Sequence, residues 1–404
     1  MTALDQKFAA LAADNAPGQE VRQDMSGLDA VMKGGLFNGT PVDFSHGDVD
    51  AHPPTPGSAE AWQAGFEVGG QQAYTEYRGA AAIREKLAAR LAEFTGHPLN
   101  ADSELIITPG TQGALFLALG ATVTNGTKVA VVEPDYFANR KLVVFFGGEV
   151  VPVALTYGGQ GGNNGPDLAQ LEAAFKSGTE VLVFSTPNNP TGVVYSADDI
   201  AAIARLASSY GVTVIVDQLY SRLLYTGESY THLRADPQAP DNLITIMGPS
   251  KTESLSGFRL GVAFGTAALI ERMERLQAIV SLRAAGYNQA ALETWFNEPE
   301  GWMDARIAAH QAIRDELVSL FRAAGIEVAV PQAGSYVFPK LPDLSVSPEV
   351  FVQLLRRQAA VTVTPGSEFA PGTRDSIRLN FSQDHEAAVA AVKRIIEMIE
   401  RYKA

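Results

Sequence analysis

The sequence contains no cysteine. That excludes disulfides, a thiolate nucleophile and any cysteine-based metal site. Histidine is scarce. His46, His52, His97, His232, His310 and His385 are scattered with no ligand spacing, so no metal site is expected. Positive charge is in deficit: 31 Lys and Arg stand against 45 Asp and Glu, a formal net charge of −14. Such a chain is a poor partner for nucleic acid, whose affinity rests on cations neutralising phosphates. No apolar run approaches the roughly 18 residues needed to span a membrane. The N-terminal stretch is not basic enough for a targeting peptide, so a cytoplasmic location is expected.

What is present is the composition of a packed chain. With 404 residues, 46% hydrophobic and 19% charged, it is long enough for two domains and too apolar to be disordered. Between Glu104 and Phe264, short apolar, β-branched runs alternate with amphipathic helical patterns. Seven runs are legible, at 105–108, 129–132, 150–155, 181–185, 212–216, 243–247 and 261–264. Continuous apolar strands separated by helices indicate an α/β fold, a mostly parallel seven-stranded sheet covered on both faces. Ahead of this region lie helical patterns at 4–11, 27–32 and 58–68, and another whose Ile83, Leu87, Leu91 and Phe94 share one face. Beyond it, long helical patterns at 302–324, 348–358 and 385–401 enclose short extended runs at 328–330, 335–339, 361–363 and 377–381. That part predicts a smaller α+β domain. The glycine-rich stretch 158–165 has no dinucleotide-binding register and reads as a flexible connection.

In such sheets ligands gather at the carboxyl ends of strands. Ser250-Lys251-Thr252 follows the run 243–247. A lysine ending a buried strand is costly unless a partner or a chemical role compensates it. An imine with a carbonyl cofactor is the available role, and a surface loop lysine is the plain alternative. Arg259 follows eight residues later. Gly110-Thr111-Gln112 opens an apolar helix whose free N–H groups suit a phosphate, or forms an ordinary turn. Tyr136 would stack on a planar ring or simply pack. Asn189, between Pro187 and Pro190, is an amide held in orientation. Asp217, ending an apolar run, calls for a cation such as a protonated pyridine, or else caps a helix.

Taken in order, the motifs Y-x-x-x-x-G at Tyr74, G-T-Q-G-A-L at Gly110, P-x-Y at Pro134 and P-N-N-P-T-G at Pro187 are followed by D-x-x-Y at Asp217 and S-K-T-x7-R-L-G at Ser250. P-G-S-x-F at Pro365 and I-R-L-N-F at Ile377 complete the series. On these eight motifs the chain resembles the class I and II aminotransferases of the aspartate aminotransferase family, pyridoxal 5'-phosphate enzymes of fold type I, from about Val42 to Phe381. The resemblance implies a large domain over 53–288 and a small domain formed by 1–52 and 289–404. It implies that Lys251 forms the imine with pyridoxal phosphate and shuttles the proton, while Asp217 keeps the pyridine nitrogen protonated. Tyr220 and Asn189 would bond the ring's phenolic oxygen, and Tyr136 would stack on the ring. Gly110, Thr111, Gln112, Ser250 and Arg259 would hold the phosphate, joined by Tyr74 from a neighbouring subunit, which implies a homodimer. Arg378 would clamp the substrate α-carboxylate, with Gly47 closing over it.

Two positions depart from the family pattern: Gly248 stands where relatives carry a phosphate-binding serine, and Gln218 where many carry Glu. Arg283, five residues before Asn288, matches the spacing of the arginine that binds a distal carboxylate, which would select aspartate or glutamate, with 2-oxoglutarate as acceptor. A solvated helix arginine is the alternative. The residues also leave open a pyridoxal-phosphate lyase or decarboxylase on the same scaffold. An effector-sensing module of a transcriptional regulator is disfavoured, because the segment before Val42 is too short and too acidic for a DNA-binding domain.

Overall fold

A computed structural model describes residues 1–12, 16, 18, 25–158 and 164–404. Residues 159–163 of the glycine-rich stretch lie outside the described residues, and so does the expectation of a flexible connection there. The strands, in chain order, are β1 (Val42–Asp43), β2 (Leu105–Pro109), β3 (Lys128–Glu133), β4 (Glu149–Thr156), β5 (Gly165–Pro166), β6 (Val181–Ser185), β7 (Thr213–Asp217), β8 (Leu243–Met247), β9 (Leu260–Gly265), β10 (Tyr336–Val337), β11 (Val361–Thr362), β12 (Thr364–Pro365) and β13 (Ile377–Asn380).

The large sheet has the order β2-β9-β8-β7-β6-β3-β4-β5. The pairs β3/β4, β3/β6, β6/β7 and β7/β8 are parallel, and β2/β9, β8/β9 and β4/β5 are antiparallel. All seven predicted runs are in it. The eighth strand, β5, is two residues at the edge, a Gly-Pro pair with no apolar run to announce it. The central strands of the sheet are buried on both faces because their inner positions are apolar almost throughout. Along β3, Val129 and Val131 face one core while Ala130 and Val132 face another. The same alternation holds in β6, where Val181 and Val183 oppose Leu182 and Phe184. Each such valine or leucine contributes about 1.5–3 kcal/mol on burial, so these cores hold the strand ends in fixed positions.

The remaining strands form a β1-β11 pair and a three-stranded sheet, β10-β13-β12. Their core joins distant parts of the chain: Leu28, Val42 and Phe44 pack with Phe321, Phe351, Leu379 and Ile395. The helices Trp302–Ala323, Pro348–Ala359 and His385–Tyr402 cover it. Two local expectations change. Residues 328–330 form no strand, since Pro331 follows and removes a ladder donor. Residues 27–32 form only a single 3₁₀ turn, Leu28–Ala30, ahead of Gly34-Gly35. Among the described residues no helix is long and apolar enough to cross a membrane.

Candidate active site

A cavity of about 210 Å³ lies at the carboxyl ends of β6, β7 and β8, lined by Lys251, Asp217, Tyr220, Asn189, Arg378, Tyr136, Thr111, Gln112, Ser250 and Arg259 among others. Ten of the residues singled out in the sequence therefore converge on one space. A second cavity of about 210 Å³ adjoins it, sharing Lys251 and Tyr220 and lined in addition by Gly47.

Asp217 ends β7 and looks into the cavity. The Leu219 N–H donates to its Oδ1 at 2.9 Å, and no cation pairs with it among the described residues. Burial raises its carboxyl to about 6, against the pull of the Leu219 N–H. A carboxylate so placed favours a cationic ligand. Tyr220 is buried, and its hydroxyl meets that of Tyr336 at 2.5 Å. Burial and the second phenol push the Tyr220 hydroxyl well above its ordinary range.

Tyr136 is positioned by a polar staple. The buried Asp135 carboxylate accepts the Ser185 N–H at 2.8 Å and the Tyr136 N–H at 2.6 Å, as well as the Ser185 hydroxyl. This joins the ends of β3 and β6 and holds the Tyr136 ring at the cavity, where its hydroxyl donates to Gln112 Oε1 at 2.8 Å. The helix Gly110–Thr122 points its N terminus at the same space. Gly110 lies against the Arg259 guanidinium, and Thr111, Gln112, Ser250 and Arg259 line the cavity beside it. Free N–H groups, a helix dipole and a guanidinium together suit an anion.

The strand glycines explain how the helix comes so close. A Cβ at Gly261 would lie 2.4 Å from the Thr111 nitrogen, and one at Gly248 would lie 2.8 Å from Thr111 Cγ2. Gly248 thus leaves room for the Thr111 side chain. Gln218, the other departure, faces away from the cavity, with its Oε1 2.9 Å from His232 Nδ1.

Arg378, in β13, is buried. Its Nη1 donates to Asn189 Oδ1 at 3.1 Å, and its Nη2 to the Ser45 carbonyl at 2.9 Å and Thr364 Oγ1 at 3.3 Å. Its Nε has no partner and no carboxylate pairs with it among the described residues. The Tyr336 and Phe369 rings flank the guanidinium at 4.4 and 4.9 Å. A buried cation left with neutral acceptors favours the addition of a carboxylate.

Two of the residues from the sequence reading lie elsewhere. Tyr74 is 81% exposed, and neither it nor Arg283 lines this cavity. They meet each other instead: the Arg283 guanidinium sits 5.5 Å from the Tyr74 ring and 5.4 Å from the Tyr77 ring, and its Nε is buried without a partner. Other residues at these cavities were not marked in the sequence. Tyr336 and Phe369 lie in runs noted only as a strand and a motif. His46, one of the scattered histidines, lines both cavities. The Asp43 carboxylate, 3.4 Å from its Nε2, raises its imidazole to about 9.

The arrangement can hold an anion at one end and a cationic nitrogen at Asp217, with a primary amine and a carboxylate clamp between. Comparison with known proteins agrees with that chemistry. Residues 42–395 match the family model for aminotransferase class I and II. The chain is 30% identical over 339 residues to the aspartate/prephenate aminotransferase of Thermus thermophilus, covering 82% of this chain and 84% of the relative. It is 28% identical over 340 residues to the aspartate aminotransferase of Musicola paradisiaca, covering 83% and 84%. The crystal structure of an aspartate aminotransferase from Rhodobacter sphaeroides shares 61% identity and a TM-score of 0.94, with both chains covered in full. The chain belongs to the class I and II aminotransferases and transfers an amino group between an amino acid and a 2-oxo acid.

Proposed function

We propose that the protein is a pyridoxal 5'-phosphate-dependent aminotransferase that moves the amino group of aspartate or glutamate to a 2-oxo acid such as 2-oxoglutarate, by a ping-pong mechanism, as a cytoplasmic homodimer. The observation that carries this reading is the convergence of Lys251, Asp217 and the carboxylate-free Arg378 on one cavity. The residues fit the cofactor. The helix N terminus with Arg259 matches its phosphate, Asp217 its ring nitrogen, Tyr136 its ring face and Lys251 its carbonyl.

Bound pyridoxal phosphate supplies an electron-withdrawing ring that stabilises negative charge at the substrate Cα. Asp217 keeps the proton on the ring nitrogen, since a buried carboxylate gains most by pairing with a cation. The Lys251 amine moves the proton at Cα. Tyr220 and the Asn189 amide, both lining the cavity, would bond the cofactor's phenolic oxygen. Asn189 is oriented by the bond its Oδ1 accepts from Arg378, so ring and carboxylate sites are mechanically linked. Arg378 orients the α-carboxylate by a bidentate pair. The 1–52 and 289–404 part, which carries Gly47 and Arg378, would close on the 53–288 part and exclude water.

Substrate choice would fall to the partner subunit's Arg283, with the partner subunit's Tyr74 reaching the phosphate. Three facts support this. Arg283 and Tyr74 lie together outside the chain's own cavity. Ile279, Val280 and Leu282 beside them are exposed apolar residues, as expected of a subunit interface. A Thermus thermophilus aspartate aminotransferase, 26% identical with TM-score 0.83 and covering 98% of this chain and 100% of that one, was solved with maleate, a dicarboxylate.

The test is an absorption spectrum of the purified protein reconstituted with pyridoxal phosphate, recorded during additions of aspartate, glutamate, alanine and an aromatic amino acid. The expected result is a visible lysine-linked band that moves to shorter wavelength with aspartate and glutamate and returns with 2-oxoglutarate. A band that does not respond to either dicarboxylate would sink the substrate assignment. Absence of the band would sink the role of Lys251.

A further inference from the structure

Behind the cavity, two residues beyond Tyr220 and two beyond Lys251, lies a buried charge cluster that the reaction as described does not use. Arg222 Nη1 donates to Glu253 Oε1 and, at 2.7 Å, to Glu298 Oε1, while Nη2 donates to Glu298 Oε2 at 2.9 Å. The side chains of Arg222, Glu253 and Glu298 are only 11%, 2% and 6% exposed. The Phe296 ring, set by a backbone φ of +60°, covers the guanidinium at 4.1 Å. The Glu253 backbone is held from a third side: its carbonyl accepts the Thr55 N–H at 3.0 Å. Next to it, Arg306 Nη1 donates to Ser254 Oγ at 2.9 Å.

A buried cluster of one cation and two carboxylates is poor as a stabilising device, because desolvation offsets most of the attraction. What such a cluster does well is fix geometry. Its two arms sit on the turn that carries Tyr220 and on the loop that carries Lys251, two segments from different strands.

We propose that the Arg222–Glu253–Glu298 cluster is a positioning device that locks the Lys251 loop to the Tyr220 turn, holding the reacting amine and the phenol in one frame. The proposal rests on the assignment of Lys251 as the reacting amine. It also carries a pH signature. Burial, with the Glu298 charge adding to it and Arg222 opposing it, raises the Glu253 carboxyl to about 7. The charged groups facing it are Arg222 from the Tyr220 turn, Glu298 after the 3₁₀ helix Tyr287–Thr294, and Arg306 from the helix Trp302–Ala323. Above about 7 the Arg222–Glu253 link is a full ion pair, and below it the guanidinium is left bonded to a neutral carboxylic acid, a weaker hold. Turnover therefore falls as pH drops through that value.

The test compares the reconstituted wild-type enzyme with Glu253→Gln and Glu298→Gln. E253Q should keep the lysine-linked visible band and lose kcat by roughly tenfold, with KM within about twofold, the pattern of a displaced catalytic group. Its kcat–pH profile should lose the inflection near 7. E298Q should shift that inflection to lower pH, because removing the neighbouring charge eases ionisation of Glu253. If E253Q does not fold, the E298Q shift decides alone. Wild-type kcat with an unchanged inflection in E253Q overturns the proposal, and so does a loss of kcat that merely tracks lost cofactor. A wild-type enzyme without the visible band would instead refute the assignment of Lys251.

Discussion

The cavity at the strand ends and the patch formed by Tyr74, Tyr77 and Arg283 are built in different ways. In the cavity the polar groups are set by packed sheets: Arg378 lies in β13 with three acceptors and two rings, and Asp217 ends β7 between two paired strands. On the patch, Arg283 has two aromatic neighbours and a free Nε, and Tyr74 stands in solvent. Groups that do chemistry must be fixed to within a fraction of an ångström, and a sheet core provides that. Groups that choose among substrates can be supplied by a surface that becomes ordered on assembly. On this view one chain contains the chemistry and two chains contain the selectivity.

The largest test of that contrast is Lys251→Ala, which should lower kcat by roughly 10⁴-fold or more and abolish the visible band. Activity within tenfold of wild type, a bound set at the lower end of such effects, would mean the cavity is not the reaction site. Arg378→Met should follow, with kcat/KM falling by roughly 10²–10³ for every amino acid alike, since all share the α-carboxylate. A loss confined to dicarboxylic substrates would reverse the roles of cavity and patch. Arg283→Ala should raise KM for aspartate and glutamate by roughly 10–100-fold and leave alanine unchanged. Equal effects on the three would remove the patch from substrate choice. The smallest effect is on cofactor binding. Below about 6 the Asp217 carboxyl is protonated in the empty site and must lose that proton to pair with a cationic ring nitrogen. Affinity of the apo protein for pyridoxal phosphate should thus fall with decreasing pH below that point, by at most about tenfold per unit. Asp217→Asn should flatten the dependence. A wild-type affinity constant from pH 5 to 7 would show that Asp217 does not meet the ring nitrogen.

Legibility in the sequence followed the same division. Strand ends are easy to read because a buried parallel strand needs an unbroken apolar run, and the first polar residue after it stands out. Asp217 stands out that way, and Lys251 and Asn189 lie in the turns that follow their runs. Tyr336, Phe369 and Ser45 do not stand out, because each reaches Arg378 from a different stretch of chain and nothing in its own neighbourhood marks it. His46 has no metal-ligand spacing in the sequence, and its place at the cavity beside Asp43, three residues away, comes only from the turn between them. The Arg222–Glu253–Glu298 cluster was invisible for a related reason, since its members are distributed over 77 positions of chain from 222 to 298.

By itself, the order of residues determined the alternation of strands and helices and the identity of the groups at the strand ends. Both depend on short-range periodicity and on the cost of burying a polar group. Tertiary structure decided which of those groups share a cavity, why position 248 has no room for a side chain beside Thr111, and why Tyr74 and Arg283 stand apart from the rest. These outcomes depend on the close approach of segments far apart in sequence, where a single Cβ at Gly248 would lie 2.8 Å from Thr111 Cγ2, and no local pattern encodes that distance.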